Sequence, residues 1–303
     1  MNFKYDYVKL RKPSFIFSIA ITIIGILFLF IFQLNYGVDF KSGTTMDISV
    51  GQSVPKERAE EIFLAAVPEA KEILVTMGGG NQRVTVRFDS VLQEAETRAI
   101  ISEFVKEFGD QVTYEENTVD VTIAKEMARN AIWAVLLASL FIGLYVIIRF
   151  EWRFAVSGIV SVLHDAFIVI TVFSIFRLEV NIPFVAAILT VIGYSINDRI
   201  VIFDRIRENL RFAKLKTFDD VAKLVNDSIS QVLTRTINTV LMVLFTSMAL
   251  FIFGSESIRL FSLAISIGLF AGVYSSIFIA SPMWVLLKYQ SLKAKREAAM
   301  TNQ

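Results

Sequence analysis

The chain contains 303 residues, of which 54% are hydrophobic, and this share is too high for an ordinary soluble protein of that length. Its 30 basic and 29 acidic residues nearly balance, so the composition gives no overall attraction to nucleic acid. The chain has no cysteine, which excludes disulfides, thiolate nucleophiles and cysteine-based metal sites.

Long uncharged runs predict six membrane-spanning helices, because a hydrocarbon core about 30 Å thick requires about 20 apolar helical residues. The predicted spans, in chain order, are residues 14–34, 130–148, 154–176, 182–203, 236–253 and 260–287. The first run could be a cleaved signal peptide, but it is too long for one and no cleavage pattern follows it. The expected divisions of the chain are an N-terminal segment with the first span (1–34), an inserted domain (35–129), a five-helix membrane region (130–287) and a tail (288–303).

The loops between the spans differ strongly in charge. Seventeen basic residues fall in the N-terminal segment, the loops at 149–153 and 204–235 and the tail, whereas the remaining short loops contribute only Arg177 and Arg259. By the positive-inside rule, both termini are predicted to be cytoplasmic. The inserted domain, which is acidic with 17 Asp and Glu against 10 Lys and Arg, is then expected outside the cytoplasm.

The inserted domain alternates between strand and helix patterns. The predicted strands are residues 44–50, 72–77, 82–88 and 111–123, and the predicted helices are residues 55–67 and 91–108. The order strand, helix, two strands, helix, strand predicts a ferredoxin-like α+β domain. The triple glycine at 78–80 suits a hairpin turn, and a phosphate-binding loop is disfavoured because no helix and no Gly-Lys-Ser/Thr follows it.

Ionisable groups in the third span are expensive to bury and are therefore functional candidates. His164 and Asp165 lie near the middle of that span, and His164 is the only histidine of the chain. A metal site is not expected, because a metal needs more such ligands nearby. Two interpretations stay open at this point: a polar pair that holds spans together, or a part in ion movement.

The fourth span carries a stripe of polar residues that ends in Asp198. Thr190 and Tyr194 precede Asp198 by eight and four residues, so they share one helix face with it, and Asn197 is its direct neighbour. This pattern predicts a polar path into an apolar bundle. The alternative is that Asp198 merely pairs with Arg199 at the membrane surface.

The fifth span begins near Arg235, which is followed at helical spacing by Asn238 and Thr239. Spans four and five run antiparallel, so we expect Asp198 and Arg235 to meet at similar depth. A buried carboxylate balanced by a nearby cation can take and release protons, which makes Asp198 and Arg235 the candidate ion-coupling pair.

Two further segments have patterns of their own. In the sixth span, small residues recur every four positions and include Gly268 and Gly272, which predicts close packing against another helix. The segment 204–223, within the basic loop 204–235, is amphipathic and basic, which predicts a helix along the cytoplasmic membrane surface or a contact with a cytoplasmic partner. We find no catalytic constellation and expect a protein that is not an enzyme.

Several runs of this sequence together resemble the SecF branch of the SecD/SecF family, within the resistance-nodulation-division superfamily. They are Gly37-Val-Asp-Phe-Lys-Ser-Gly-Thr44, Arg149-Phe-Glu-Trp-Arg-Phe154, Leu163-His-Asp-Ala-Phe167, Gly193-Tyr-Ser-Ile-Asn-Asp198, Phe203-Asp-Arg-Ile-Arg-Glu-Asn209 and Arg235-Thr-Ile-Asn238. The resemblance covers essentially the whole chain. It implies that Asp198 is the family's ion-path carboxylate and that Arg235 is its partner.

The resemblance also implies a location, partners and an energy source. It places the chain in a bacterial inner membrane, where it works with SecD, the SecYEG channel, an unfolded secretory polypeptide and membrane lipid, and with YajC-like and YidC-like subunits. A proton or sodium gradient would supply the energy, and no cofactor is expected. Alternative functions are a half-transporter for a small molecule or lipid and a passive assembly factor. One departure concerns the proposed ion path: the family usually has a small polar residue where this chain has Arg199.

Overall fold

The computed structural model describes residues 5–68 and 73–301. Within these residues, six helices are long and apolar enough to cross a membrane. The helices are α1 (Arg11–Phe32), α2 (Val38–Lys41), α3 (Lys56–Ala66), α4 (Glu94–Phe108), α5 (Val121–Arg149), α6 (Trp152–Ile175), α7 (Ile182–Leu210), α8 (Phe218–Phe253), α9 (Glu256–Ser275) and α10 (Ser281–Thr301). The strands are β1 (Asn35–Tyr36), β2 (Gly43–Ser49), β3 (Ile73–Gly78), β4 (Arg83–Phe88), β5 (Thr113–Val119) and β6 (Glu179–Val180).

The domain between α1 and α5 has the ferredoxin-like arrangement that the sequence predicted. Its four strands pair in the order β3-β4-β2-β5, and every pairing is antiparallel. Alternate residues of β2 and β4 face the core, so Met46 and its cross-strand neighbour Val86 are both fully buried. The aromatic rings of Phe63 on α3 and Phe104 on α4 cover this face of the sheet.

The β3–β4 hairpin turns where the glycines occur in the sequence. Gly79, Gly80 and Asn81 have φ angles of 56°, 67° and 66°, in the left-handed region that glycine and asparagine adopt most readily. The predicted hairpin is therefore confirmed. Residue 72, which began the predicted second strand, lies outside the described residues.

The helix that contains the second predicted span begins nine residues before that span, at Val121. The predicted strand 111–123 was too long at its end, because β5 ends at Val119. Asp120 then acts as the N-cap of α5, and its carboxylate accepts hydrogen bonds from the backbone N–H of Thr122 (2.6 Å) and Ile123 (3.0 Å). The helix passes from the domain into the apolar run without a break, so α5 contains the predicted span 130–148 and extends beyond it toward the domain.

The prediction of one surface helix over residues 204–223 was wrong, and most of the basic connection 204–235 consists of the ends of two long helices. Helix α7 continues to Leu210, and α8 begins at Phe218, so only a short connection separates the two helices. Thr217 starts α8 with a capping box, in which its hydroxyl accepts from the N–H of Asp220 and its own N–H donates to the Asp220 carboxylate. These caps allow helix to form where the sequence alone indicated a charged connection.

The last span and the tail form one nearly continuous helical rod. A π-helical turn, Ser276–Ala280, joins α9 to α10, and α10 continues through the predicted boundary at residue 288. Inside the turn, Ser281 Oγ donates to the carbonyl of Ser276 at 2.7 Å. Such turns often mark functional positions within helices.

Helices α6, α7 and α9 pack at the centre of the membrane bundle, and most side chains of α1, α5 and α8 are exposed. The inserted domain rests on one end of this bundle. There, Arg83 donates a hydrogen bond to the carbonyl of Gly254 between α8 and α9 at 2.9 Å, and β1 pairs in parallel with β6 just before α7. The inserted domain is therefore joined to the membrane helices by a hydrogen bond and by a strand pairing.

Candidate functional site

A buried ion pair between α6 and α7 forms the centre of the bundle. Asp165 and Arg199 are both 0% exposed, and Arg199 Nη2 donates to Asp165 Oδ2 at 2.5 Å. The same guanidinium donates from Nε to Ser161 Oγ at 2.7 Å and from Nη2 to Ser275 Oγ at 2.6 Å. One cation thus joins α6, α7 and α9, and we call these four residues the closed polar centre.

The backbone positions of Asp165 and Arg199 lie at different depths in the bundle. Measured from the domain-bearing end, Asp165 lies about 15 Å along α6 and Arg199 about 25 Å along α7, at about 1.5 Å per residue. Helical side chains lean toward the N-terminus of their own helix, and the two helices are antiparallel. The short Asp165 side chain and the long Arg199 side chain therefore lean toward each other, which closes the gap.

Small residues let α9 approach this centre. A Cβ on Gly272 would lie 2.8 Å from Ser195 Oγ and 3.7 Å from Asp165 Oδ2. One turn earlier, a Cβ on Gly268 would lie 2.2 Å from a methyl carbon of Val191. Both glycines thus lie on the face of α9 that packs against α7, where their lack of a side chain permits close contact.

His164 lies beside the closed polar centre but faces another way. Its Nδ1 is 3.5 Å from Asp165 Oδ1, its ring is 6.4 Å from that of Tyr274, and neither ring nitrogen has a hydrogen-bond partner among the described residues. It lines an apolar groove of about 600 Å³ between α1, α6 and α10, together with Ser18 and Thr22. The contacts of Asp165 support the interpretation that this polar pair holds spans together.

Asp198, the next residue before Arg199, has quite different surroundings. Its side chain is 8% exposed, and it makes no hydrogen bond or ion pair with any residue the structure describes. Arg199 and Arg235 both act on it through their charges. Asp198 is thus a nearly buried carboxylate that is held near two cations without a direct partner.

The predicted contact between Asp198 and Arg235 does not form within this chain. Arg235 is exposed on α8, and so are Asn238 and Thr239. The α7 side chains of Tyr194 and Asn197 are exposed as well, and Thr190 is partly exposed and donates to the carbonyl of Ala186. The predicted path does not run through the interior, because these two helices turn their polar residues outward. We call this surface the open polar face.

An exposed arginine and several amides on a membrane helix cannot rest stably against lipid tails. The open polar face of α7 and α8 therefore requires another protein surface or water in the membrane. No group of three or more His, Asp or Glu side chains suited to a metal ion occurs in residues 5–68 and 73–301. The arrangement suits the exchange of a small cation at Asp198 better than the tight binding of a metal.

The sequence did not reveal Arg199 as a partner of Asp165. Arg199 stood out only as an unusual neighbour of Asp198, and no spacing rule connects residues 165 and 199. One usable signal exists: each residue lies within an apolar run, and unpaired charges of opposite sign in neighbouring spans can neutralise each other.

Comparisons with known proteins agree with this architecture. The family described as protein export membrane protein SecD/SecF, C-terminal, matches residues 100–290, and the SecD/SecF GG motif matches residues 27–54. Protein translocase subunit SecF of Alicyclobacillus acidocaldarius subsp. acidocaldarius is 44% identical over 97% of this chain and 96% of its own length. Protein translocase subunit SecDF of Bacillus subtilis is also 44% identical, over 96% of this chain but only 39% of its own.

Solved structures show the same likeness. The crystal structure of SecDF from Thermus thermophilus, a translocon-associated membrane protein, superposes with a TM-score of 0.80 at 34% identity and covers 94% of this chain. A second SecDF structure, in a super-membrane-facing form, has a TM-score of 0.64 at 32% identity. The chain spans 38% and 40% of these two longer proteins.

The fold and the membrane-embedded polar groups define a multi-pass membrane protein of half a bundle with one ferredoxin-like domain. The family match covers well over half of the chain, and the SecF relative is similar over nearly its full length. The chain belongs to the SecD/SecF family of protein export membrane proteins. The resemblance found in the sequence motifs is thereby confirmed.

Proposed function

We propose that the chain is an ion-gradient-driven subunit of Sec protein translocation that acts together with a SecD chain. The observation that carries the proposal is Asp198, a nearly buried carboxylate without a direct partner at the edge of the open polar face. Such a carboxylate can accept a cation from one side of a membrane and release it to the other. The coupling ion is a proton or sodium.

A SecD chain is the partner that fits the open polar face. The SecDF relatives combine in one chain a region like this one and a further region of more than half their length. A second half-bundle placed against α7 and α8 would cover Arg235 and Asn238 and exclude lipid from Asp198. The ion path would then lie between two half-bundles and would be absent from either one alone.

The proposed orientation in the membrane places the inserted domain where it can contact an exported polypeptide. Both termini lie in the cytoplasm of a bacterial cell, and the domain lies outside the inner membrane, as the distribution of basic residues favours. There it contacts the unfolded polypeptide that leaves the SecYEG channel, and YajC-like and YidC-like subunits complete the assembly. Ion flow past Asp198 changes how α7 packs, and the domain at the end of α7 moves with it.

The test is export of a secreted protein into sealed membrane vesicles that contain this chain, its SecD partner and the channel, under separate proton and sodium gradients. Asp198→Asn and Arg235→Gln should each reduce export to the rate measured without a gradient. Asp204→Asn is the matched control, because Asp204 lies on the same helix and its carboxylate is 3.8 Å from Arg149. Gradient-stimulated export by Asp198→Asn at the wild-type rate would refute ion coupling and leave a passive assembly role.

One observation favours a second candidate, a transporter of lipid or of an apolar small molecule. The groove of about 600 Å³ that His164 lines is large enough for part of an apolar chain. Leu163 also lines this groove. Replacing Leu163 by Trp should then abolish the transfer of lipid or apolar small molecules while leaving protein export unchanged. Unimpaired export in that variant, with altered lipid transfer, would support this candidate.

A further inference from the structure

Two neighbouring residues of α7, Asp198 and Arg199, belong to different polar groups. Successive helical residues point about 100° apart, so Asp198 lies at the open polar face while Arg199 points into the closed polar centre. The charge of Arg199 nevertheless acts on Asp198, since they are adjacent and the surroundings are poor in water. Any group that neutralises Arg199 therefore changes the field at Asp198.

Asp165 is that group. Its carboxylate contacts the Arg199 guanidinium directly, and both side chains are fully buried, so neither charge is screened by water. Ser161 and Ser275 hold the guanidinium from two other directions and keep it aimed at Asp165. The pair as a whole is close to neutral, and its geometry is fixed by three helices.

We propose that Asp165 is a positioning residue that sets the affinity of Asp198 for its coupling cation, by neutralising the Arg199 charge beside it. This inference rests on the proposed function only where it calls the bound cation the coupling ion. Without Asp165, an uncompensated cation next to Asp198 repels the coupling ion. Without Arg199, an uncompensated anion attracts the ion instead.

Other charged and titratable groups must stay fixed for this effect to be read cleanly. Besides Arg199, the charged group that acts on Asp198 from a neighbouring helix is Arg235 on α8. On the other helices packed on α7, His164 of α6 lies against Asp165 and Tyr274, Tyr274 of α9 bonds to Ser14 and Ser18 of α1, and Arg149 of α5 pairs with Asp204. None of these except Asp165 contacts the Arg199 guanidinium among the described residues. The substitutions are therefore confined to positions 165 and 199.

The test measures how readily Asp198 takes up a proton, without relying on export. A membrane-permeable carbodiimide reacts with protonated carboxyl groups and forms a stable N-acylurea, and peptide mapping by mass spectrometry separates Asp198 from Asp165. Labelling is followed against pH in membranes that contain the full chain. Asp165→Asn should lower the pH of half-maximal Asp198 labelling by about 1 unit, and Arg199→Gln should raise it by a similar amount.

The double variant Asp165→Asn/Arg199→Gln decides the matter, because its two shifts should cancel and restore the wild-type pH. Ser157→Ala is the control for loss of a buried polar group on α6, since the Ser157 hydroxyl donates to the backbone carbonyls of Arg153 and Phe154 on its own helix. Shifts of the same sign in both single variants would show general disruption and overturn the proposal. A double variant whose labelling pH does not return to the wild-type value would overturn it as well. Should Asp165→Asn not fold, the comparison that remains is a raised labelling pH in Arg199→Gln against the wild-type pH in the double variant.

These outcomes are separate from those for the proposed function. Opposite shifts that cancel, combined with normal export by Asp198→Asn, would uphold this inference and refute ion coupling. No shifts, combined with a loss of gradient-driven export in Asp198→Asn, would refute this inference and uphold ion coupling.

Discussion

The closed polar centre and the open polar face differ in how they satisfy their charged groups. In the centre, Arg199 has three partners on two other helices, and no part of it reaches solvent. On the face, Arg235 is exposed and Asp198 has no direct partner within the described chain. The comparison shows that charged residues of neighbouring membrane helices can be fully paired inside the bundle or left without a direct partner at its surface.

The two regions meet on a single helix. Residues 198 and 199 are adjacent, yet Asp198 lies at the edge of the open polar face and Arg199 lies in the closed polar centre. The proposed effect of the buried pair on Asp198 acts through its electric field and needs no movement of the backbone. Stability and ion affinity are expected to respond to different substitutions.

The largest expected effect on stability concerns the closed polar centre. Asp165→Asn leaves the Arg199 guanidinium buried without a counter-charge, which typically costs about 3–5 kcal/mol of unfolding free energy. Asp198→Asn breaks no hydrogen bond or ion pair among the described residues and should cost less than about 1 kcal/mol. Denaturant unfolding of the purified chain in detergent measures both.

The double variant Asp165→Asn/Arg199→Gln is the control for this prediction. It replaces the ion pair by two neutral amides that can still bond to each other, so most of the lost stability should return. Equal destabilisation by Asp165→Asn and Asp198→Asn would erase the distinction between the two regions.

A smaller effect is expected from glycines on the two sides of the bundle. Gly268→Ala places a methyl group 2.2 Å from a carbon of the buried Val191 and should destabilise by about 1–3 kcal/mol. Gly193, on the exposed surface of α7, has open space around its Cβ position, so Gly193→Ala should stabilise the isolated chain by about 0.5–1 kcal/mol. Thermal unfolding in one detergent compares the two, and a stabilising Gly268→Ala would contradict the close packing of α9 on α7.

The smallest effect is expected from a charge pair that water surrounds. On the inserted domain, Arg58 binds Glu107 at 2.7 Å, and its hydrogen bonds hold the pKa of the Glu107 carboxyl below the usual value of 4.5. The stability from this pair is present above the unfolded pKa and is lost as the pH falls through the folded pKa. Glu107→Gln should therefore lower the melting temperature slightly at pH 7, and this difference should shrink and vanish as the pH falls through the folded pKa of the carboxyl.

Glu103→Gln, on the same helix, is the control for the loss of one acidic charge. Its carboxylate pairs with Lys106, three residues further along α4, whereas the Arg58–Glu107 pair joins two helices. A decrease for Glu107→Gln as large as that for Asp165→Asn would mean that burial does not govern the strength of charge pairs here.

Much of the fold could be predicted because it depends on local patterns. Apolar runs gave the six spans, and the alternation and spacing of the inserted domain gave its strand and helix order. The predicted strand 111–123 and the predicted helix 204–223 were wrong because single side chains decide where helices begin. Asp120 starts α5 within that strand, and Thr217 with Asp220 starts α8 within that charged segment.

For the candidate site, the sequence predicted several of its charged residues but not which of them pair with each other. The sequence indicated Asp198, Arg235 and Asp165 because each is a charge in or near an apolar run. Which charges meet depends on helix rotation and on which helices are neighbours, and neither follows from one sequence. For that reason the expected pair of Asp198 and Arg235 does not form in this chain, and the pair of Asp165 and Arg199 was not foreseen.

The first turn of α7 is also fastened to the inserted domain by one carboxylate. Asp39 accepts a hydrogen bond from the backbone N–H of Ile182, the first residue of α7, at 2.8 Å, and another from the side chain of Asn117 on β5 at 3.0 Å. One buried carboxylate thus joins the start of α7 to β5, the edge strand of the sheet. If α7 shifts along its axis, as the proposed function requires, these hydrogen bonds transmit the shift to the edge of the sheet.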